Sequence, residues 1–203
     1  GSDWFEAGHW LDAAGQPGAP AAGDTVIVGA GASILLTNET PALAAFTMHG
    51  GTLTFSNWFT RLQAQTVTVS GGTLTLPPPF LDNAMSNRVH VVCTSFALAA
   101  GGVIDASGKG YASASGPERG RTGGTNRAGG GGHGGRGGQG AHHEAYGGGE
   151  YDSLREPVAP GSGGATGAGG DSGGAGGGAV RIEAASQVTV DGVIMVDGED
   201  APA

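Results

Sequence analysis

Cysteine occurs once in the 203 residues, at Cys93. A single thiol closes no disulfide within the chain, and CxxC metal sites and CxxCH haem attachment are excluded with it. Cys93 lies in the apolar run Val89-His90-Val91-Val92-Cys93, where it reads as a small buried hydrophobe. Lysine also occurs once, at Lys109, and nine basic residues stand against eighteen acidic ones, for a net charge of −9. Phosphate backbones are held by clustered Lys and Arg, so nucleic acid is not an expected partner. No apolar stretch has the length of a membrane span, so no membrane insertion is expected. Aromatic residues make up 6% and charged residues 13% of the chain. Large apolar groups are too few for a thick globular core, and a thin core lined by small residues is expected instead.

What the chain has is glycine, at 44 positions, and a repeat. Phe46-Thr47-Met48-His49-Gly50-Gly51-Thr52-Leu53-Thr54-Phe55 returns 21 residues later as Val67-Thr68-Val69-Ser70-Gly71-Gly72-Thr73-Leu74-Thr75-Leu76. Both copies alternate apolar residues with Thr, which marks strands with one buried face. The Gly-Gly pair between them allows a sharp corner that a side chain would obstruct. Looser copies follow at Phe96 to Gly108 and Val188 to Gly198, and Asp24 to Val28 with Ser33 to Leu36 reads as an opening turn. A period of about twenty residues with short strands is the pattern of a solenoid. The expected fold is therefore all-β, a right-handed parallel β-solenoid (β-helix).

Between the two looser copies lies a long excursion. Glycine fills 26 of the 59 positions from Gly120 to Gly178. Gly161, Gly164, Gly167, Gly170, Gly173 and Gly176 fall every third residue, as do Gly129 to Gly138 and Gly131 to Gly140. A three-residue period matches an extended left-handed helix, and the scarcity of Pro leaves the N–H groups free to bond neighbouring helices. The expectation is an inserted glycine-rich, polyglycine II-like helical bundle. Its decorated edge carries His133, Arg136, Gln139 and His142. The domain organisation expected is a cap at 1–22, coils at 23–115, the glycine-rich insertion at 116–178 and a returning coil at 179–203.

Trp10 to Leu36, with Ala21-Ala22-Gly23-Asp24-Thr25-Val26-Ile27-Val28, resembles the opening segment of bacterial surface β-helix proteins and of G8-type domains. The stretches Gly131-Gly132-His133-Gly134-Gly135, Gly161-Ser162-Gly163-Gly164 and Gly176-Gly177-Gly178-Ala179-Val180 resemble glycine-rich repeats of bacterial extracellular proteins, including the polyglycine II bundles of some adhesins. The resemblance implies an extracellular or cell-surface location and a structural or adhesive use. It transfers no catalytic residue.

Candidate chemistry is sparse. His133, His142 and His143, with Asp197 and Asp200, are the residues that a transition metal or calcium would use. Their spacing matches no compact motif, and Asp-Gly at 191–192 and 197–198 suits turns, so no cofactor is expected. Trp58 and Phe59 are candidates for stacking on sugar rings, with packing under a loop as the alternative. Catalysis on a β-helix needs acids converging on one groove. Asp105 and Glu183 are the acids placed in or near strands, and nothing in the sequence pairs them. The chain is therefore expected not to be an enzyme.

Val193, Ile194, Met195 and Val196 form the last apolar strand, followed by a short polar tail that covers no coil. This edge is expected either to receive an adjoining repeat or to dock a second copy. The leading reading is a structural protein that self-associates head to tail into a surface filament or matrix fibre. The alternatives are an adhesive or carbohydrate-binding module for a surface polysaccharide, and a β-helix polysaccharide lyase or hydrolase.

Overall fold

The computed structural model describes residues 1–81, 85–123, 127–141, 144–167 and 169–201. The chain is all-β. Its strands are β1 (Ser2–Asp3), β2 (Thr25–Val28), β3 (Ser33–Leu36), β4 (Leu43–Phe55), β5 (Leu62–Thr75), β6 (Arg88–Leu98), β7 (Gly102–Asp105), β8 (Ala179–Val190) and β9 (Val193–Met195). Among the described residues the only helical turn is a 3-10 turn at Ala7–His9. The strands form one open sheet in the order β1-β3-β4-β5-β6-β8, with β2 on β4, β7 on β5 and β9 on β7. The chain divides into two compact units.

The first unit, residues 1–76, 88–105 and 180–195, holds all the strands but the first residue of β8. Parallel register stacks like residues on like. Val26, Phe46, Val67 and Phe96 form one column, and Val28, Met48, Val69 and Leu98 form a second. Ile34, Leu53, Leu74, Ile104 and Ile194 form a third. All but the last of these side chains are buried. This is why alternation survives from strand to strand: a one-residue slip would turn each column to solvent. Burying a side chain of this size stabilises by about 1.5–3 kcal/mol. The residues between them face outward, as in the row Ile27, Thr47, Thr68 and Ala97.

The Gly-Gly corners behave as the repeat requires. Gly51 and Gly72 have φ of +82° and +84°, a region that L side chains avoid. Ahead of the repeat, Trp4 is buried between Trp10, with ring centroids 4.8 Å apart, and Phe46, at 6.1 Å. The Trp10 indole N–H donates to the Trp4 carbonyl at 2.7 Å, which fixes the aromatic pair against the first strands.

The second unit comprises residues 77–87, 106–179 and 196–203. Its described residues hold together by backbone hydrogen bonds between extended segments that carry no regular strand ladder. The bonds recur every third residue. Gly161, Gly164 and Gly167 donate to the carbonyls of Gly177, Gly174 and Asp171, at 2.8, 2.9 and 2.8 Å. Ser162 and Ala165 donate in the same rhythm to Gly132 and Gly129, and Tyr111 and Ala114 to Gly161 and Gly164. The stretch 129–132 also exchanges bonds with Glu118, Arg121, Gly138 and Gly148. A segment with neighbours on several sides leaves no room for side chains. A Cβ on Gly148 would collide with the Glu118 carbonyl oxygen, and one on Gly147 with that of Gly137. The glycines here are required by close approach of backbones.

Candidate functional site

The strand columns lead to an uncovered face. Ile104 is fully buried beneath its neighbours, whereas Ile194, next in the same column, is 40% exposed. Val188, Val190 and Val193 around it are exposed to similar extents, and Met195 is half-buried. Val196, counted with them on sequence, is exposed but falls in the second unit. Alternation alone would bury alternate residues of β8 and β9. They remain exposed because no further strand lies on this side among the described residues.

A second feature lies on the strand unit, where four successive turns contribute polar side chains. Asn57 sets the loop that carries Trp58 and Phe59: its Nδ2 donates to the Thr37 carbonyl at 2.6 Å, and its Oδ1 accepts from the N–H groups of Phe59 and Thr60 at 2.8 Å. Phe59 is 78% exposed. Trp58 is half-buried, with the Arg88 guanidinium 4.8 Å from its ring centroid. Trp58 is thereby occupied by a cation on one face, and Phe59 is the aromatic open to solvent.

Alternation along β6 puts Arg88 and His90 on the side opposite Val89 and Val91. The same alternation sets Arg181 and Glu183 together on β8. His90 is only 3% exposed, and its Nε2 donates to Glu183 Oε1 at 2.6 Å. Arg181 Nε also donates toward Glu183, at 2.8 Å. Burial pushes the His90 imidazole below its ordinary range and outweighs the carboxylate's pull, so the ring is neutral near pH 7. The hydrogen bond from His90 holds Glu183 below the usual carboxylate range. One turn earlier, Arg61 pairs with Glu39, which also accepts from Gln63 Nε2 at 2.6 Å, and Arg61 holds Glu39 low. His90 Nδ1 and Arg88 Nε are buried without a partner.

This corrects the reading of Glu183 as an unpaired acid. Its partners are a histidine and an arginine, and a second carboxylate is not among them. The sequence reading missed Arg88, His90, Arg61, Arg181 and Glu39. The available signal was the polar residue at every second position of Arg88-Val89-His90 and Arg181-Ile182-Glu183, near the starts of β6 and β8.

The metal candidates among the described residues do not assemble. His133 sits 3.5 Å from Asp152 Oδ2 and edge-on to Tyr151. Asp152 is occupied as a loop staple, its Oδ2 accepting from the N–H groups of Val158 and Ala159 at 2.6 Å. Tyr151, pushed up to about 12 by burial, donates its hydroxyl to the Pro160 carbonyl. Asp197 and Asp200 are exposed. His142 and His143 lie outside the described residues. Among the described residues no three His, Cys, Asp or Glu side chains converge as a metal site would require. Cys93 is buried, and burial pushes its thiol up. No described helix is long and apolar enough to cross a membrane.

Residues 10–94 match the family described as the G8 domain. The match takes in strands β2 to β5 and most of β6, and thus Trp58, Arg61, Arg88 and His90. No curated protein and no solved structure matches the chain.

Proposed function

We propose that this chain, with its G8-type strand region at residues 10–94, is a non-catalytic extracellular structural protein that self-associates end to end through β8 and β9. The observation that carries the reading is the column Ile34-Leu53-Leu74-Ile104-Ile194, buried at every level until its last, exposed member. A further parallel strand laid on β9 would complete it, and a second copy of the chain is the occupant proposed. The stacked parallel turns with Gly-Gly corners support a right-handed β-solenoid, in which each turn covers the last. The third-residue hydrogen bonds of the glycine unit support a polyglycine II-like bundle, a rigid body well suited to a surface filament or matrix fibre. The G8 match supports the extracellular setting.

Sedimentation velocity across a wide concentration range, with negative-stain microscopy, tests the assembly. Growth in mass with concentration is expected, and Ile194→Asp is expected to abolish it while leaving the fold intact, because that side chain is already half in water. A monomer at every concentration, without filaments, overturns the reading.

A second reading, an adhesive module for a surface polysaccharide, is favoured by the exposure of Phe59 beside Trp58. Binding on a glycan array that is lost in Phe59→Ala would support it. A blank array would remove it.

A further inference from the structure

We propose that the arginine cluster around Arg88 is a binding site for an oxyanionic group, of the carboxylate, sulfate or phosphate class. The strand unit contains eight acids and only three residues of the Lys/Arg kind, Arg61, Arg88 and Arg181. An acidic unit would be expected to scatter its few cations among its acids. Here Arg61 and Arg181 both lie close enough to Arg88 for their charges to act on it, with Glu183 opposing them. Arg61 has Glu39 and Arg181 has Glu183, but Arg88 has no ion-pair partner among the described residues. With His90 neutral, the cluster holds three positive charges against two negative ones.

The surplus charge is also badly placed for stability. Arg88 and Arg181 project from neighbouring strands β6 and β8, and like charges across a sheet repel. Burial and the Arg181 charge together push Arg88 below its ordinary range. Arg88 is nevertheless held in place, its guanidinium carbon over the Trp58 ring at 4.8 Å from the centroid. A fixed planar fork is preorganised for bidentate contact with an oxyanion, so little ordering remains to oppose binding. An oxyanion seated between Arg88 and Arg181 removes the repulsion and supplies the missing counter-charge. The site uses the start of β8, at Arg181, whereas the proposed assembly surface centres on Val188, Val190 and Ile194, and the two tests read different quantities, so either can fail alone.

The test is a titration of the intact chain with sodium acetate and, separately, sodium sulfate, at ionic strength held constant with chloride, read from arginine Nε–Hε NMR signals. Saturable shifts of the Arg88 and Arg181 signals are expected. Arg181→Gln is expected to weaken the apparent affinity about tenfold, as loss of one charge-assisted contact implies. Arg181 is half exposed, so this change spares the sheet. Arg88→Lys keeps the charge, removes the fork and is expected to weaken binding as well. Arg155→Gln, in the other unit, is expected to change nothing. Tighter acetate than sulfate assigns a planar carboxylate, and the reverse a tetrahedral group. Shifts that grow without saturating for both anions, or that persist unchanged in Arg181→Gln and Arg88→Lys, overturn the site.

Discussion

The two units meet the same demand, satisfying the backbone of closely spaced extended segments, by opposite means. In the strand unit, side chains do the packing: Phe46, Met48, Leu53 and Leu74 are fully buried, and Gly appears at the corners. In the glycine unit, apart from the packed pair Phe80 and Tyr111, the buried positions include Gly129, Gly132, Gly148, Gly163 and small residues such as Ala145 and Ala165. There the adhesion comes from hydrogen bonds worth about 0.5–1.5 kcal/mol each, net of water. Glycine also loses more chain entropy on ordering than any other residue. The comparison teaches that close packing can be achieved by removing side chains as well as by fitting them, with the sensitivity to mutation reversed.

The reversal can be broken by substitution. The largest effect belongs to truncation in the strand unit: Phe46→Ala is expected to cost about 3–5 kcal/mol. It should appear as faster amide hydrogen exchange through β4 and β5, with the glycine unit's amides as internal reference. Next is enlargement in the glycine unit. Gly148→Ala drives a methyl into the Glu118 carbonyl and is expected to cost about 1–3 kcal/mol or more. Exchange should accelerate at Gly132, Gly137 and Gly148, whose N–H groups bond Glu118, Gly148 and Gly130. Its control is Gly135→Ala, where a Cβ meets nothing within 4 Å. That change is expected to be neutral or slightly stabilising, by up to about 1 kcal/mol. Equal loss at both positions would refute the claim that close approach, and not glycine content, holds this unit.

A smaller effect separates the units by pH. His90 titrates lower in the fold than its unfolded value near 6.5, because it is buried. The unfolded chain therefore takes up the proton first, and stability falls as pH drops below about 6.5, levelling once the folded ring is also protonated. Glu183, held low by His90, adds stability that is lost at still lower pH, as pH falls through its folded value. Both act in the same direction and on the strand unit. Protection factors at β6 and β8, referred to the intrinsic exchange rate at each pH, should fall between pH 7.5 and 5.5, and His90→Phe should flatten the response. No change in wild type over that range would count against the neutral, buried imidazole.

The strand unit was largely legible because its columns repeat in sequence: Val-Thr-Val and Thr-Leu-Thr recur at an offset of 21 that matches the register of β4 on β5. The third-residue glycine phase was legible too, and it reappears as the spacing of hydrogen bonds from Gly161, Gly164 and Gly167. The arginine cluster was not. His90 and Glu183 are 93 residues apart, on either side of the glycine-rich excursion, and no local pattern joins them. Trp58 was legible as a candidate for sugar stacking or for packing under a loop, but the arginine over its ring comes from another strand, β6. Pairings made across strands need the register, which periodicity supplies only where the repeat is unbroken.

The bare backbones of the glycine unit have a consequence for its lifetime. Protein-digesting enzymes choose their cleavage points by side chains seated in specificity pockets. The stretches 129–132, 147–149 and 173–178 offer such pockets almost nothing. Attack is confined to decorations held in solvent, such as Arg136 and Tyr146. A segment that gave up its side chains in order to pack has, by the same step, become hard to digest.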